Sequence, residues 1–416
     1  MNILVVGSGA REHALCWKLK QSGKATKIYC APGNAGISQI ARCVDIKADN
    51  LDKITEFAVS NGIDLTVIGP EGPLCEGLTD MLEQRNIKVF GPCKKGAKLE
   101  ASKSYSKEFM KKYNIPTAGY EVFTDAEAAI KGLSKFRVPI VVKADGLAAG
   151  KGVVICSTKE EAEESIKSMM NDKQFGEAGD TVVIEEFLDG TEASLLCFVD
   201  GNSIIPMESA RDYKKAYDFD KGLNTGGMGC FSPNTIYTEE LKGYISENIL
   251  KRTMEGLKQE KLDFKGVLFI GLMVKEGKAK VLEYNTRFGD PETEVVLPRL
   301  ESDLVEIMLK CIDGNLTEQD LQWSSDKCVT VVLASGGYPE SYEKGKQITG
   351  LNDMDDSIVI FHGGTRAEDG KVFTDGGRVM AVTAMGKTLD DARKIVYENI
   401  LKIKFEKMQF RSDIAK

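Results

Sequence analysis

The sequence predicts an α/β protein at its amino terminus, followed by α+β segments. Short apolar runs alternate with helical patterns over the first 100 residues, which is typical of a doubly wound α/β domain. Two later pairs of strand patterns, joined by Asp200-Gly201 and Glu276-Gly277, predict antiparallel hairpins. A last group of strands and a terminal helix, about residues 327–416, predicts a small carboxy-terminal α+β unit.

The amino-terminal unit begins with a buried strand that turns through Gly7 and Gly9 into a helix. A lone G-x-G is weak evidence for a ligand site, but such a turn presents a helix N-terminus to an anion. Its other elements are predicted strands at residues 27–30, 65–68 and 88–90 and a helix at 51–59. Loops rich in glycine and proline follow these strands, at the edge where open α/β sheets bind ligands.

The middle and last parts of the chain mix hairpins with helices. The predicted helices cover residues 94–113, 160–169, 304–312 and 389–403. The predicted strands cover residues 138–142, 153–156, 181–184, 194–199, 203–207, 266–274, 278–284, 328–334, 358–361 and 378–384. Residues 211–229 lack periodicity and are predicted to form one long functional loop, with disorder as the alternative.

Composition limits the class of function. A formal net charge of -8 argues against a broad nucleic-acid surface. Ten scattered cysteines without a C-x-x-C pair argue against zinc and against a disulfide framework, and the two histidines are too few for chemistry built on several. No apolar run is long enough to cross a membrane, and no targeting pattern precedes the first strand, so we expect a cytoplasmic protein.

A glycine-rich segment, K-A-D-G-L-A-A-G-K-G-V at residues 143–153, lies between two predicted strands. Its three glycines allow sharp turns that direct backbone N–H groups at an anion, and Lys143 and Lys151 can reach the same phosphates. Its spacing differs from that of a Walker A loop. A hairpin with solvated lysines is the alternative, and the small residues and paired lysines favour a phosphate cover.

A second segment offers ligands for a metal ion. Glu283 and Asn285 are two residues apart on a predicted strand, so both face one side, and Val281 is expected on that face too. An acid and an amide supply hard oxygen ligands for Mg²⁺ or Mn²⁺. An isolated E-x-N is usually surface, but here R-F-G-D-P-E-T follows it directly.

These segments resemble the ATP-grasp enzymes and, more narrowly, the glycinamide ribonucleotide synthetase family. The resemblance extends over nearly the whole chain, through K-A-D-G-L-A-A-G-K-G-V, G-S-G-A-R-E-H, P-G-N-A-G, G-P-E-G-P-L, N-T-G-G-M-G and R-F-G-D-P-E-T. It implies an amino-terminal substrate-binding domain (1–102), a central ATP-grasp fold (103–326) and a carboxy-terminal domain (327–416).

The resemblance also implies a reaction, in which ATP activates glycine as glycyl phosphate and 5-phosphoribosylamine attacks it to give glycinamide ribonucleotide, ADP and phosphate. The expected partners are therefore ATP, glycine, phosphoribosylamine and Mg²⁺ or Mn²⁺, and we expect a monomer that binds neither nucleic acid nor membrane. Two alternatives remain: an ATP-grasp carboxylate–amine ligase with another acceptor, and a module that binds ATP without turnover.

By the same resemblance, the site residues fall into four groups. The ATP-binding group is Lys103, Lys143, Gly150, Lys151, Gly152, Glu185, Glu186, Phe187, Leu188 and Glu192, and the metal ligands are Glu283 and Asn285. The substrate-binding group is Gly9, Arg11, Pro32, Gly33, Asn34, Gly36, Glu71, Asp212, Lys214, Asn224, Thr225, Gly226, Arg287 and Asp290. Arg287, Lys143 and Asp212 are the expected catalytic residues, and no general base is assigned. His362 is expected to be structural.

Overall fold

The computed structural model describes residues 1–148 and 152–416. Its amino-terminal elements are β1 (Asn2–Gly7), α1 (Ala10–Leu19), β2 (Lys27–Pro32), β3 (Arg42–Cys43), α2 (Leu51–Ser60), β4 (Leu65–Ile68), α3 (Glu71–Glu76), α4 (Leu78–Glu83) and β5 (Lys88–Phe90). The strands form a parallel sheet in the order β3-β2-β1-β4-β5. Residues 3–6 of β1 are fully buried because helices cover both faces of such a sheet. The predicted doubly wound domain is confirmed, although the G-P-E-G-P segment, placed among the loops, already begins α3 at Glu71.

The stretch predicted to be helical over residues 94–113 is helical, but it is divided into two helices. They are α5 (Lys94–Ala101) and α6 (Lys103–Lys112). Between them Ser102 is extended, and its Oγ accepts the Tyr105 N–H at 3.1 Å, which caps α6. The Asp145 carboxylate also accepts the Ser104 N–H at 2.5 Å. The break therefore starts a new helix at Lys103, directly against the segment that begins the glycine loop.

The next part forms a four-stranded antiparallel sheet with two helices. Its elements are β6 (Tyr120–Phe123), α7 (Ala126–Gly132), β7 (Ile140–Ala144), β8 (Val153–Cys156), α8 (Lys159–Met170) and β9 (Val182–Glu186). The strand order is β6-β9-β7-β8. The predicted strand–loop–strand arrangement around the glycine-rich segment is confirmed by the pairing of β7 with β8. The loop's Gly150 and Lys151 lie outside the described residues.

A second antiparallel sheet has the order β11-β10-β16-β17, so both predicted hairpins are confirmed. The elements of this part are β10 (Thr191–Asp200), β11 (Ile204–Pro206), β12 (Arg211–Asp212), β13 (Lys215–Tyr217), β14 (Lys221–Asn224), β15 (Gly229–Ser232), α9 (Glu239–Ile245), α10 (Lys251–Gln259), β16 (Lys265–Lys275) and β17 (Lys278–Asn285). The prediction of one long loop at residues 211–229 was wrong, because β13 and β14 form a hairpin and β12 pairs with β15.

The last elements form a sheet with strands from the middle of the chain. They are α11 (Thr293–Arg299), α12 (Leu304–Asp313), β18 (Lys327–Ser335), β19 (Gln347–Ile348), β20 (Ile358–His362), β21 (Thr365–Glu368), β22 (Lys371–Thr374), β23 (Arg378–Gly386), α13 (Leu389–Ile400) and β24 (Met408–Gln409). The main sheet has the order β12-β15-β18-β23-β20. It therefore joins strands from both sides of residue 326. The terminal helix ends at Ile400, three residues before the predicted end.

One hydrophobic core connects the three parts. Leu15 and Leu19 of α1, Phe198 of β10 and Leu297 of α11 share it, and Phe361 of β20 completes it. The amino-terminal sheet, the β11-β10-β16-β17 sheet and the last sheet thus meet around one core, whereas the β6-β9-β7-β8 sheet packs with α7 and α8 around a separate core. Among the described residues, no helix combines the length and apolar character needed to cross a membrane.

Candidate active site

The candidate site is the cleft between the two antiparallel sheets. An isolated bridge pairs Thr117 with Val281, and the Lys143 Nζ donates to the Leu282 carbonyl at 3.4 Å. At the exposed edge, Lys280 Nζ lies 3.0 Å from Glu186 Oε1. These contacts hold β17 against the sheet that carries the glycine-rich segment.

Lys103, the first residue of α6, contacts the beginning of the glycine-rich segment. Its Nζ donates to the Gly146 carbonyl at 2.9 Å, and its backbone N–H donates to the Asp145 carbonyl at 3.0 Å. Burial lowers the pKa of Lys103. At the other end, a Cβ on Gly152 would lie only 2.6 Å from the Cβ of Ala148, so a side chain there would clash with Ala148. Both ends of the segment are thus closely packed.

A buried set of three charges lies beneath the segment. The two oxygens of Glu185 each form an ion pair with one lysine: Oε1 lies 2.9 Å from Lys143 Nζ and Oε2 lies 2.9 Å from Lys107 Nζ. Glu185 is 2% exposed, and both lysines are buried. Burial lowers the pKa of Lys107 to about 8, although Glu185 acts in the opposite direction. The Glu185 side chain is therefore held between two lysines instead of facing the cleft as a ligand.

The other residues predicted for the nucleotide lie around the end of β9. Glu186 points away from Glu185 and accepts the Gly119 N–H at 2.9 Å, a bond that lowers its pKa. Phe187 is 39% exposed and, with Leu188, connects β9 to β10. Glu192 on β10 forms an ion pair with Lys214 at 3.2 Å. The connection between β9 and β10 therefore lies at the surface at Phe187.

The end of β17 brings Glu283 and Asn285 to one face, as predicted. The prediction that Val281 shares this face was wrong, because the register shifts there: Gly271 pairs with Glu283, while Leu272 pairs with Val281. Leu282 is the extra residue of this β-bulge, which turns Val281 into the core. Burial opposes ionisation of Glu283, but Lys214, Lys143 and Lys103 outweigh it and lower its pKa.

Arg287 follows β17 and reaches the amino-terminal unit. Its Nη2 lies 2.9 Å from Glu100 Oε1 and its Nε lies 3.3 Å from Glu71 Oε2. Nη2 also donates to Asn285 Oδ1 at 3.3 Å, and Nη1 donates to the Phe288 carbonyl at 3.2 Å. The pKa of Glu71 is lowered because Arg287 and Arg11 overcome its burial. Arg287 thus orients Asn285 while it ties the first unit to the cleft.

An acidic group borders the cleft beside β12. Asp212 Oδ1 has no hydrogen-bond partner among the described atoms, and burial together with Glu292 raises the pKa of Asp212 well above its usual value. Glu292 Oε1 accepts the Ser194 hydroxyl at 2.9 Å. Lys214 is adjacent, and Glu192, Glu283 and Asp212 raise its pKa against the effect of burial. The Lys214 ammonium group therefore lies next to the Asp212 carboxyl group, one oxygen of which has no hydrogen-bond partner.

The N-T-G-G segment forms a tight turn next to Asp212. Asn224 ends β14, and Thr225 Oγ1 donates to the Lys214 carbonyl at 2.8 Å and accepts the Gly227 N–H at 2.9 Å. Gly227 has a φ of +115°, and a Cβ there would lie 2.7 Å from Asp212 Oδ1. Only glycine fits this backbone without displacing the acid.

Protein side chains fill part of the space beside the glycines in the loops of the amino-terminal unit. Glu12 Oε2 accepts the Gly9 N–H at 2.6 Å, and the Glu12 side chain fills the turn between Gly7 and Gly69. Its other oxygen lies 2.6 Å from Arg11 Nε, and Arg11 Nη1 also donates to the Phe288 carbonyl at 3.1 Å. The Glu12 carboxylate therefore already binds the Gly9 N–H, one of the groups that the sequence analysis predicted would be available to a substrate anion.

Asn34, in the P-G-N-A-G segment, forms hydrogen bonds to other protein groups with its side chain. Its Nδ2 donates to the Ser8 and His362 carbonyls at 2.8 and 2.6 Å. Its Oδ1 accepts the N–H groups of Gly36 and Ile37, both at 2.9 Å. The side chain thus fastens the first unit to the last one. Pro32 and Gly33, which precede it, end β2 and begin the turn.

His362 has the structural setting that was predicted. Its backbone N–H donates to His13 Nδ1 at 2.8 Å, and its own Nδ1 lies 3.1 Å from Thr365 Oγ1. Burial lowers the pKa of His13 to about 3 and that of His362 to about 4. Both rings are therefore neutral near pH 7, and Gly36 packs directly on them.

Sequence reasoning missed two residues that help to build the site. Lys107 is the second lysine on Glu185. Arg378 reaches from the last unit to Asp290 Oδ1 at 2.8 Å and to the Gly226 carbonyl at 2.8 Å. A cavity lies here, lined by Gly9, Ala10, Asp290, Gly363, Gly364 and Arg378 among others. Arg378 belongs to the G-G-R-V segment, which together with H-G-G-T could have indicated a functional turn. Lys107 could not be distinguished from the other lysines of its charged helix.

Two facing antiparallel sheets, with lysines on one side and an acid–amide pair on the other, define an ATP-grasp enzyme. A biotin carboxylase domain from Hydrogenobacter thermophilus, solved with ADP and magnesium, has this fold: its TM-score is 0.76 at 15% identity, over 98% of this chain and 91% of that one. Family models of phosphoribosylglycinamide synthetase match in succession: the N domain at residues 1–100, the ATP-grasp (A) domain at 101–293 and the C domain at 328–416. The chain belongs to the phosphoribosylglycinamide synthetase family.

Full-length relatives agree with this family. A phosphoribosylamine–glycine ligase of Halalkalibacterium halodurans is 48% identical over 416 residues, which are 100% of this chain and 96% of that protein. One of Clostridium acetobutylicum is 47% identical over 416 residues, 100% of both. The crystal structure of phosphoribosylamine–glycine ligase from Thermotoga maritima has a TM-score of 0.87 at 36% identity, over 99% of this chain and 100% of that one. The predicted family, fold class and class of ATP-dependent ligase in purine biosynthesis are confirmed.

Proposed function

We propose that this chain joins glycine to 5-phosphoribosylamine at the expense of ATP, through glycyl phosphate. The observation that carries the proposal is the convergence of Lys103, Lys143 and Lys214 on Glu283, whose pKa they lower together. One cleft thus holds cations for phosphates, an ionised acid for a metal, and the acidic border around Asp212. The names of the full-length relatives support the choice of both substrates.

ATP is assigned to the space between the two sheets. Lys103 and Lys143 would bind its phosphates, with Gly150, Lys151 and Gly152 as the cover. The backbone of Phe187 and Leu188 would pair with adenine, and Glu192 would accept the ribose hydroxyls. The burial of Glu185 between Lys107 and Lys143 favours a supporting role for this residue, and we no longer assign it to the nucleotide directly.

Glu283 and Asn285 are the residues that would hold Mg²⁺ or Mn²⁺. Their oxygens share one face of β17, and both ions favour such hard oxygen ligands. Arg287 orients the Asn285 oxygen, and the ionised state of Glu283 suits a cation. When bound, the ion would neutralise the charge of the phosphate oxygens.

Glycine is assigned to the border around Asp212 and Lys214. The ammonium group of Lys214 would suit the carboxylate of glycine, and the carboxyl group of Asp212, which lines the same small pocket, would accept a hydrogen bond from its amino group. Arg287 lies at the junction of this border with the nucleotide cleft, where its charge would stabilise negative charge on the transferred phosphoryl group. The protein's main contribution is thus to position the reactants.

Phosphoribosylamine is assigned to the loops where the first and last units meet. Gly9, Arg11, Pro32, Gly33, Gly36, Glu71, Asn224, Thr225, Gly226 and Asp290 lie on these loops or border them. Asn34 would act here by holding the loop, since its side chain already binds protein groups. The division into domains at residues 102 and 326, a monomeric state and a cytoplasmic location belong to the same proposal.

An assay of ADP release with candidate amines tests the proposal. Release should require glycine and phosphoribosylamine together, and the product should have the mass of glycinamide ribonucleotide. Release with a different amine would identify another carboxylate–amine ligase. Tight ATP binding without release under any combination would identify a module without turnover.

A further inference from the structure

Lys107 is a buried lysine with two polar partners close to the proposed nucleotide site. It lies on α6 four residues after Lys103, on the same helix face. Its side chain is 3% exposed, and its Nζ contacts Glu185 Oε2 at 2.9 Å and Thr117 Oγ1 at 2.7 Å. A buried ammonium group is costly unless it is paired in this way. Because the side chain is covered by protein, it does not contact a ligand itself.

The first partner connects Lys107 to the charge of Lys143. Glu185 shares its carboxylate between Lys107 and Lys143, at 2.9 Å from each. Two ammonium groups and one carboxylate leave one excess positive charge in this set. If Lys107 were neutral, Glu185 would compensate Lys143 completely, and less attraction for a phosphate would remain.

The second partner connects Lys107 to the metal side of the cleft. Thr117 Oγ1, which Lys107 contacts, donates to the Val281 carbonyl at 2.6 Å. Val281 immediately precedes the bulge at Leu282, and the Leu282 carbonyl accepts Lys143 Nζ at 3.4 Å. This bulge sets the face on which Glu283 lies. Lys107 therefore reaches both sides of the cleft through other residues.

We propose that Lys107 is a positioning residue for the nucleotide site, which keeps Lys143 available to a phosphate and holds the bulge that presents Glu283. The inference rests on the proposed roles of Lys143 and Glu283. By this inference, Lys107 strengthens the binding of ATP and its metal ion indirectly, through its contacts with Glu185 and Thr117.

The test is the affinity for MgATP, measured by calorimetry, in the full-length protein. Lys107→Met keeps the unbranched apolar part of the side chain and removes its charged end, and we expect affinity to fall by about 10- to 100-fold, as for other residues that orient ligands. Adding Glu185→Gln to this variant removes the compensating carboxylate, so we expect the double variant to bind MgATP more tightly than Lys107→Met alone. Lys111→Met, an exposed lysine on the same helix, is the matched control and should bind as the wild type does.

Two results would overturn the inference. One is wild-type affinity in Lys107→Met. The other is a double variant that binds more weakly than Lys107→Met, since independent structural losses would simply accumulate. If Lys107→Met does not fold, the double variant alone decides: it should fold and bind MgATP, and failure would assign Lys107 to stability only. Absence of ligation by the wild-type protein would instead contradict the proposed function, and this binding test would be unaffected.

Discussion

At the scale of single residues, Glu283 is the side chain on which the metal proposal depends. Three lysines lower its pKa although it is buried, so its carboxylate is ionised at neutral pH, as the proposed metal ligand should be. The same lysines would compete with a cation if they were the permanent partners of this acid. However, Lys143 is paired with Glu185, Lys214 is paired with Glu192, and Lys103 Nζ donates to the Gly146 carbonyl. Under the proposed function, Glu283 is thus available to a metal ion that arrives with the nucleotide.

Glu283→Gln should therefore lower turnover by roughly 10²-fold, the scale for loss of one electrostatic stabiliser. The amide keeps the shape of the side chain and removes the charge that holds the cation. Turnover measured against Mg²⁺ concentration should also show a higher requirement for the ion. Glu276→Gln, at the exposed tip of the same hairpin, is the control and should behave as the wild type. Full activity of Glu283→Gln at limiting Mg²⁺ would show that this acid is not a ligand.

At the scale of elements, the hairpins were predictable and the bulge was not. The strands β10, β16 and β17 have long apolar patterns and short turns, which are local signals. The bulge at Leu282 depends on pairing with β16, so alternation along β17 alone placed Val281 on the wrong face. Strands β12 and β15 were missed because they are short and join β18, about one hundred residues later.

The candidate site shows the same limit. Glu283 and Asn285 could be found because their spacing is local. Lys107 and Arg378 could not, because their partners Glu185 and Asp290 lie far away in the sequence. The protein contacts of the Asn34 side chain could not be found either, since its acceptors include the carbonyl of the distant His362. Sequence patterns identify the loops, whereas packing decides which side chains remain available to ligands.

The turn at Gly227 provides a test at this scale. Gly227→Ala places a methyl group against Asp212 Oδ1 and the Pro291 ring, at a backbone φ of +115° that disfavours alanine. We expect a loss of about 1–3 kcal/mol in the free energy of unfolding. The KM for glycine should rise as well, because Asp212 must move. Gly243→Ala is the control, since no atom lies within 4 Å of its added Cβ and it sits in α9. Equal effects of the two substitutions in unfolding and in the KM would contradict the proposed constraint.

At the scale of the whole molecule, two buried histidines join the first unit to the last. His13 lies on α1 and His362 ends β20, and their rings are 5.7 Å apart. The pKa values of about 3 and about 4 lie below the ordinary value of 6.5 because burial disfavours the charged rings. The unfolded chain therefore binds protons first as the pH falls. Each histidine thus contributes stability above pH 6.5 that is lost as the pH falls, toward about pH 4 for His362 and about pH 3 for His13.

His362→Gln should reduce this pH dependence. At pH 5 each histidine is expected to cost the wild type about 2 kcal/mol relative to neutral pH, from the usual 1.36 kcal/mol per pH unit. Urea unfolding at pH 7 and pH 5 measures the difference. The variant should lose about 2 kcal/mol less than the wild type between the two values, whatever its stability at pH 7. Because raised carboxyl pKa values act in the opposite direction, the comparison with the wild type is essential. An identical loss in both proteins would mean that His362 is not held neutral.

The central claim is that glycine passes through an acyl phosphate in the cleft between the two sheets. Glycine labelled with ¹⁸O in both carboxylate oxygens tests it most directly. One labelled oxygen attacks the γ-phosphorus of ATP, and the amine later expels it as part of phosphate. Mass spectrometry should therefore find one ¹⁸O in the released phosphate and one in the amide product. Phosphate without label, formed together with glycinamide ribonucleotide, would contradict the account.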